Sequence, residues 1–265
     1  MNNISISRIL KLIKFEFLMH RKYYLTILIG ALVLVSVVIL IAWMQTRHLL
    51  TGWQQKHYQV VYFVYFLAVI IFIVGQGFKD LVTKASSERY LLLPASHIEK
   101  LIAQILTKFS VALIAMPFVF WFGVLLARLI GFSLMNNILS TKNFEKIEYL
   151  RFESLWILTE GEHWSFNAFF IGSVFFLFSF MILGSQYFGK WNFVYTPLIK
   201  ILFVLITVLS CRALLSFYTK NNTNINELEV FDGVPLFVFV LIILLFLGSF
   251  LSYFISYHKL KEREV

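Results

Sequence analysis

From residue 24 to residue 44 the chain carries no charged side chain. A helix of about 20 apolar residues covers the hydrocarbon of a bilayer. Five more runs of this kind follow, at about 58–78, 102–130, 166–188, 194–217 and 235–257. The third holds Lys108 and Arg128 near its two ends, and the fifth holds Lys200 and Arg212. A β-barrel is excluded by parity. Barrel strands alternate apolar and polar positions, whereas Leu32-Val33-Leu34-Val35-Ser36-Val37-Val38-Ile39-Leu40-Ile41 is apolar on both. Composition agrees: 60% of the 265 residues are hydrophobic, 14% are charged, and the mean hydropathy is +0.81. A water-soluble globule cannot bury so much apolar side chain, a disordered chain is far more polar, and one cysteine makes no disulfide scaffold.

The cations orient the spans. Cytoplasmic loops are enriched in Lys and Arg. With both termini on one side, that side holds Arg8, Lys11, Lys14, Arg21, Lys22, Lys79, Lys84, Arg89, Lys100, Lys190, Lys259, Lys261 and Arg263. The other side holds Arg47, Lys56, Lys142, Lys146, Arg151 and Lys220. The expected fold is therefore an all-α integral membrane protein of six transmembrane helices, with both termini cytoplasmic. Residues 1–22 form a cytoplasmic interfacial segment, and residues 23–265 form the six-span domain. Its inner loop is 79–100, and its outer loops are 45–57, 131–165 and 218–233. No cleavable signal is expected, because the first apolar run is too long for one. Most of the net charge of +9 then belongs to topology and to anionic inner-leaflet lipid, and none of it calls for nucleic acid.

Ile6, Ile9, Leu10, Ile13 and Phe17 recur at helical spacing, with Ser7, Arg8, Lys11 and Lys14 on the other face. Such a basic amphipathic helix lies in the headgroup plane. It serves as a positive-inside anchor, or also as a docking surface for a cytoplasmic partner. The inner loop mixes charge with the apolar cluster Tyr90-Leu91-Leu92-Leu93. Pro94 ends any helix before it, and Ser96 with Glu99 makes a capping box that opens the third span. A short interfacial helix and a fixed turn are expected there. In the outer loop 131–165, Phe144, Ile147, Leu150 and Phe152 suggest a short amphipathic helix.

No catalytic or metal signature stands out. The stretch Gly184-Ser-Gln-Tyr-Phe-Gly189-Lys190-Trp191 has the spacing of a phosphate-binding loop but puts Trp191 where Ser or Thr must ligate Mg²⁺. It reads as a helix end and a tight turn with Gly189 as cap. The six histidines are scattered, and no enzyme activity, metal or other cofactor is expected. Within the spans every charge is a cation: Lys108, Arg128, Lys200 and Arg212. Snorkelling to the nearer interface explains them. The alternative is contact with an anionic lipid or substrate headgroup. Ion-coupled transport generally needs buried carboxylates, and no Asp or Glu falls in a span.

Residues 89–100, Arg-Tyr-Leu-Leu-Leu-Pro-Ala-Ser-His-Ile-Glu-Lys, and 183–190, Leu-Gly-Ser-Gln-Tyr-Phe-Gly-Lys, with Asn192 and Phe193, resemble segments of the permease subunit of type-2 ATP-binding-cassette exporters from Bacteroidetes-type bacteria. The layout of the whole chain is similar to theirs. The resemblance implies a multi-pass protein of the bacterial inner membrane. It would form the translocation path for an amphipathic substrate (lipid, peptide or drug), paired with a second permease copy or homologue. Separate cytoplasmic ATPase subunits would drive it. The resemblance makes Lys84, Glu88, Arg89, Tyr90, Leu91, Leu92 and Leu93 the ATPase-coupling region and residues 4–19 the connecting helix. The larger outer loop lies here between spans three and four, whereas many relatives carry theirs between five and six. Two other classes stay open: a non-transporting scaffold or sensor of a larger complex, and a secondary transporter.

Overall fold

The computed structural model describes residues 4–46, 53–81, 87–88, 90, 92–138, 147–155, 164–219, 229–231 and 234–262. The fold is predominantly helical. The helices are α1 (Ile6–Met19), α2 (Arg21–Thr46), α3 (Gln55–Val69), α4 (His97–Ser110), α5 (Met116–Ile138), α6 (Trp164–Phe188), α7 (Asn192–Thr219) and α8 (Leu236–Glu262). A π-helical turn, Ile70–Val74, extends α3, and another, Val111–Ala115, joins α4 to α5. Before α8 a short antiparallel ribbon pairs β1 (Glu229–Phe231) with β2 (Val234–Pro235).

Among the described residues five helical segments are long and apolar enough to cross a membrane: Arg21–Gln45, Gln55–Val74, His97–Gly131, Trp164–Ile206 and Val238–Glu262. The chain is thus a multi-pass membrane protein by length and composition. Six runs were expected. The fourth and fifth fall together because helical turns follow one another without a gap over the 43 residues Trp164–Ile206, which include Lys190 and Lys200. Its backbone is nonetheless broken by the 3-10 turn Gly189–Trp191. Gly189 there adopts φ 53°, a left-handed conformation that costs glycine nothing and strains other residues.

The chain divides into two compact units. One comprises Met1–Ser5, Ile70–Ile105 and Gly161–Val265, and the other Ile6–Val69 and Leu106–Glu160.

In the first unit the Gly189 turn folds α7 back along α6. Phe188 packs on Tyr195 and, further along, Phe176 packs on Phe203, with ring centroids 5.7 and 6.3 Å apart. The two helices therefore run antiparallel. Helix α8 runs parallel to α6. A Cβ on Gly172 would lie 3.3 Å from the Phe246 ring, and one on Gly248 would lie 2.7 Å from the Phe176 ring. Ser249, Ser252 and Ser256 are buried as well. Small residues let membrane helices approach where lipid gives no hydrophobic drive between them.

In the second unit α2 and α5 meet at Gly123. A Cβ there would come within 2.8 Å of Val35 Cγ1. Ser36 Oγ lies 2.8 Å from Leu32 O and 3.0 Å from Gly123 O, and donates to one or the other carbonyl. Helix α3 crosses α5 in the opposite sense through aromatic contacts, with Tyr62 and Phe120 centroids 5.1 Å apart and Tyr65 Oη 3.4 Å from Met116 O.

Candidate functional site

The first unit gathers much of the predicted coupling region. Leu92 N donates to Glu88 O at 3.0 Å, the spacing of one helical turn. Leu93 N then reaches Tyr90 O at 3.4 Å. Within that turn the side chains divide. Leu92 is 82% exposed and Glu88 is exposed, Leu93 is half-buried, and Tyr90 is buried edge-on to Phe78 at 6.3 Å. Lys84, Arg89 and Leu91 lie outside the described residues or have undescribed side chains.

Past Pro94 the capping box closes in both directions. Ser96 Oγ accepts from Glu99 N at 3.3 Å, and Glu99 Oε2 accepts from Ser96 N at 2.9 Å. This satisfies donors that a helix start otherwise leaves open. The second carboxylate oxygen of Glu99 does something the sequence does not announce: it accepts the backbone N–H of Ser5, 94 positions away, at 2.8 Å. Glu99 is 0% exposed and Lys100 1%. Lys100, counted among the cations of loop 79–100, has its Nζ 5.9 Å from the Tyr90 ring centroid.

Behind this lies the Gly189 turn. Phe78 N donates to Ser185 Oγ at 3.4 Å. Asn192 Nδ2 donates to Gly75 O at 2.5 Å and to Met181 O at 3.0 Å, while its Oδ1 accepts from Thr196 Oγ1. Gly184 has no room for a Cβ, because Thr196 Oγ1 and Asn192 Oδ1 already occupy that space. The phosphate-loop look-alike thus serves as a helix end, a turn and one wall of a cleft of about 320 Å³ with Leu81.

The second unit holds two of the four span cations. Lys108 does not snorkel. Its Nζ lies 3.0 Å from Glu16 Oε1 and 2.7 Å from Tyr24 Oη, with side-chain exposures of 3% for Lys108 and 7% for Glu16. Tyr24 also packs its ring on the ammonium at 5.1 Å and on Phe17. His20 Nε2 stands 4.0 Å from the other Glu16 oxygen. No acid lies in a span by sequence, but α1 delivers one to a span cation in space. The sequence held one clue. Glu16 follows Ile9 by two helical turns, and these are the buried residues of α1. The remaining cations of α1 lie elsewhere: Lys11 and Lys14 are exposed and Arg8 is half-buried.

Arg128 is half-buried, with its guanidinium centre 3.3 Å from the centroid of the Tyr149 ring. Tyr149 belongs to the outer segment 147–155, where a helix was expected. Residues 147–151 are not helical, because α3 and the residues just before it take their backbone groups. Glu148 N donates to Trp53 O at 3.0 Å, Tyr58 Oη donates to Glu148 O at 3.0 Å, and Gln55 bonds both Tyr149 O and Arg151 N. Only Phe152–Leu155 turns, as a 3-10 helix, and Phe152 stacks on Phe118 at 4.9 Å. In the first unit Lys200 is half-buried, 5.3 Å from the Phe176 ring. The Arg212 side chain lies outside the described residues.

No family model, curated protein or solved structure matches this chain. The arrangement offers an exposed Glu88 and Leu92 beside the buried Tyr90, Glu99 and Lys100, a buried ion pair between α1 and α4, and the segment 147–155 strapped to α3 and α5.

Proposed function

We propose that this chain is the permease subunit of an ATP-binding-cassette exporter in a bacterial inner membrane. It would work with cytoplasmic ATPase subunits and a second permease copy or homologue to move an amphipathic substrate. One observation carries the reading. The connection between the second and third apolar segments is a built element, with Tyr90, Glu99 and Lys100 turned in and Glu88 and Leu92 turned out. A slack connector needs none of this burial, whereas a surface that receives a push must be stiff behind and open in front.

The same reading takes α6 and α7 as two crossings, giving six, with both termini cytoplasmic. Two things support it. The Gly189 turn makes α6 and α7 an antiparallel hairpin. A run of contacts also links Ser5, Glu99, Lys100, Tyr90, Phe78 and Ser185 to the turn beside which Lys259 packs on Tyr187, so the described ends of the chain share one end of that unit. That end also carries the excess of Lys and Arg. The sequence holds no nucleotide-binding motif, so hydrolysis belongs to a partner.

The test is affinity purification of the tagged chain from native membranes, followed by ATP-dependent dye accumulation in inverted vesicles. An ATPase with intact nucleotide motifs should co-purify. Leu92→Asp, at an exposed position, should release it while leaving the chain's own thermal stability unchanged. If no ATPase is recovered and ATP does not alter dye accumulation, the reading is wrong. A second reading, ion-coupled transport, is favoured by the buried Glu16–Lys108 pair. It predicts gradient-driven uptake in proteoliposomes without ATP.

A further inference from the structure

We propose that Arg128, on α5 near the end of the apolar segment His97–Gly131, forms with Tyr149 a receptor for one anionic group, a phosphate or a carboxylate. This does not depend on the exporter reading, because it rests on how this guanidinium is housed.

A cation on a membrane-spanning helix is costly, and it ordinarily faces a partner, a water-filled cavity or a ligand. Lys108 shows one solution in this chain, a carboxylate at 3.0 Å. Arg128 has a different one. At 3.3 Å from guanidinium centre to ring centroid, the contact is face-on. A face-on stack satisfies the planes of the guanidinium and leaves its N–H donors directed outward from the edge. Among the described residues Arg128 makes no ion pair. Of the acids of segment 147–155, Glu148 accepts Gln55 N–H at 3.1 Å and Glu153 is exposed, and neither is ion-paired with Arg128. A half-buried guanidinium fork with free edges matches the two oxygens of a phosphate or carboxylate.

The site is also preorganised. Tyr149 does not drift with a loose loop, because its carbonyl accepts from Gln55 Nε2 at 2.5 Å and the carbonyl before it accepts from Tyr58 Oη. The ring that orients the guanidinium is therefore fixed to α3 before any ligand arrives, which lowers the entropy cost of binding. Leu129 and Ile130, which follow Arg128 on α5, are exposed. The chemistry shared by a lipid headgroup and a free phosphate is the same at the fork, and the experiment separates them.

The full-length chain is reconstituted in nanodiscs of phosphatidylcholine alone, of phosphatidylcholine doped with phosphatidylglycerol, and of phosphatidylcholine with inorganic phosphate in the buffer. Thermal unfolding and native mass spectrometry of retained lipid are recorded for wild type, Arg128→Gln, Arg128→Lys and Tyr149→Ala. In wild type, phosphatidylglycerol should raise the unfolding midpoint and remain bound. Protection by phosphatidylglycerol alone identifies a lipid headgroup, and protection by inorganic phosphate as well identifies a small-anion site. Arg128→Gln should weaken the response by at least about tenfold in affinity, the loss of one charge-assisted pair of hydrogen bonds. Arg128→Lys should fall between, because an ammonium lacks the fork. Tyr149 is 67% exposed, so Tyr149→Ala should fold and still bind several-fold more weakly. The proposal is overturned if neither anion protects wild type, or if Tyr149→Ala or Arg128→Gln responds as wild type does.

Discussion

Removing one partner of the Glu16–Lys108 pair should destabilise the chain far more than removing both. At 3.0 Å and an effective dielectric near 20, the gross attraction is about 5–6 kcal/mol. Against it stands a desolvation cost of several kcal/mol per ion. The pair is therefore near balance as a pair, and its absence is not. Glu16→Gln leaves an ammonium buried beside Tyr24 Oη, and Lys108→Met leaves a carboxylate buried beside His20. Breaking a buried pair in this way costs about 3–5 kcal/mol. The double variant removes both charges and leaves a neutral amide against a thioether, so its loss should be well below the sum of the singles, by about 2 kcal/mol or more. The assay is thermal or denaturant unfolding of the full chain in nanodiscs, with Lys11→Met as the exposed control, expected within about 0.5 kcal/mol of wild type. Additive singles, or a Lys108→Met no worse than Lys11→Met, would refute the reasoning. That result would mean that Lys108 reaches water after all.

Gly184→Ala should cost about 1–3 kcal/mol through overpacking, because Asn192 and Thr196 occupy the space of the new methyl group; Gly30→Ala, where nothing lies within 4 Å, should be neutral or slightly stabilising in the same unfolding assay. Ser96→Ala should lose about 0.5–2 kcal/mol as a cap, and Glu99→Ala should lose more, since it also releases Ser5; amide exchange at Ser5 reads that second loss directly. Tyr90→Ala should destabilise the chain through lost packing on Phe78, in contrast to Leu92→Asp, which should alter only partner retention in the affinity purification.

The multi-pass helical character was legible because twenty apolar residues in a row have few other uses, and the capping box because its two residues are three positions apart. Lys108 was not. Its place near an inner interface suits snorkelling, and its partner lies 92 positions away, so no local spacing connects them. Glu16 left a trace only as an acid in register with Ile9 on α1, and that trace gains meaning once a cation is known to face it. The same limit applies to Glu99. Its bond to Ser96 follows from sequence, and its bond to Ser5 follows only from the fold.

The outer segment makes the opposite error instructive. Phe144, Ile147, Leu150 and Phe152 have helical spacing, yet residues 147–151 are extended along the end of α3. Helical spacing is a preference for one buried face, and a short segment has few internal hydrogen bonds to enforce it. Here Gln55, Tyr58 and Trp53 offer the backbone competing partners, and they prevail over at most two turns of helix. The outcome fixes Tyr149 over Arg128, which a free-standing amphipathic helix would not do. A cation that reads as a snorkelling residue in sequence thereby becomes an oriented fork. The irregular strap, not the spans, sets the orientation of this cation.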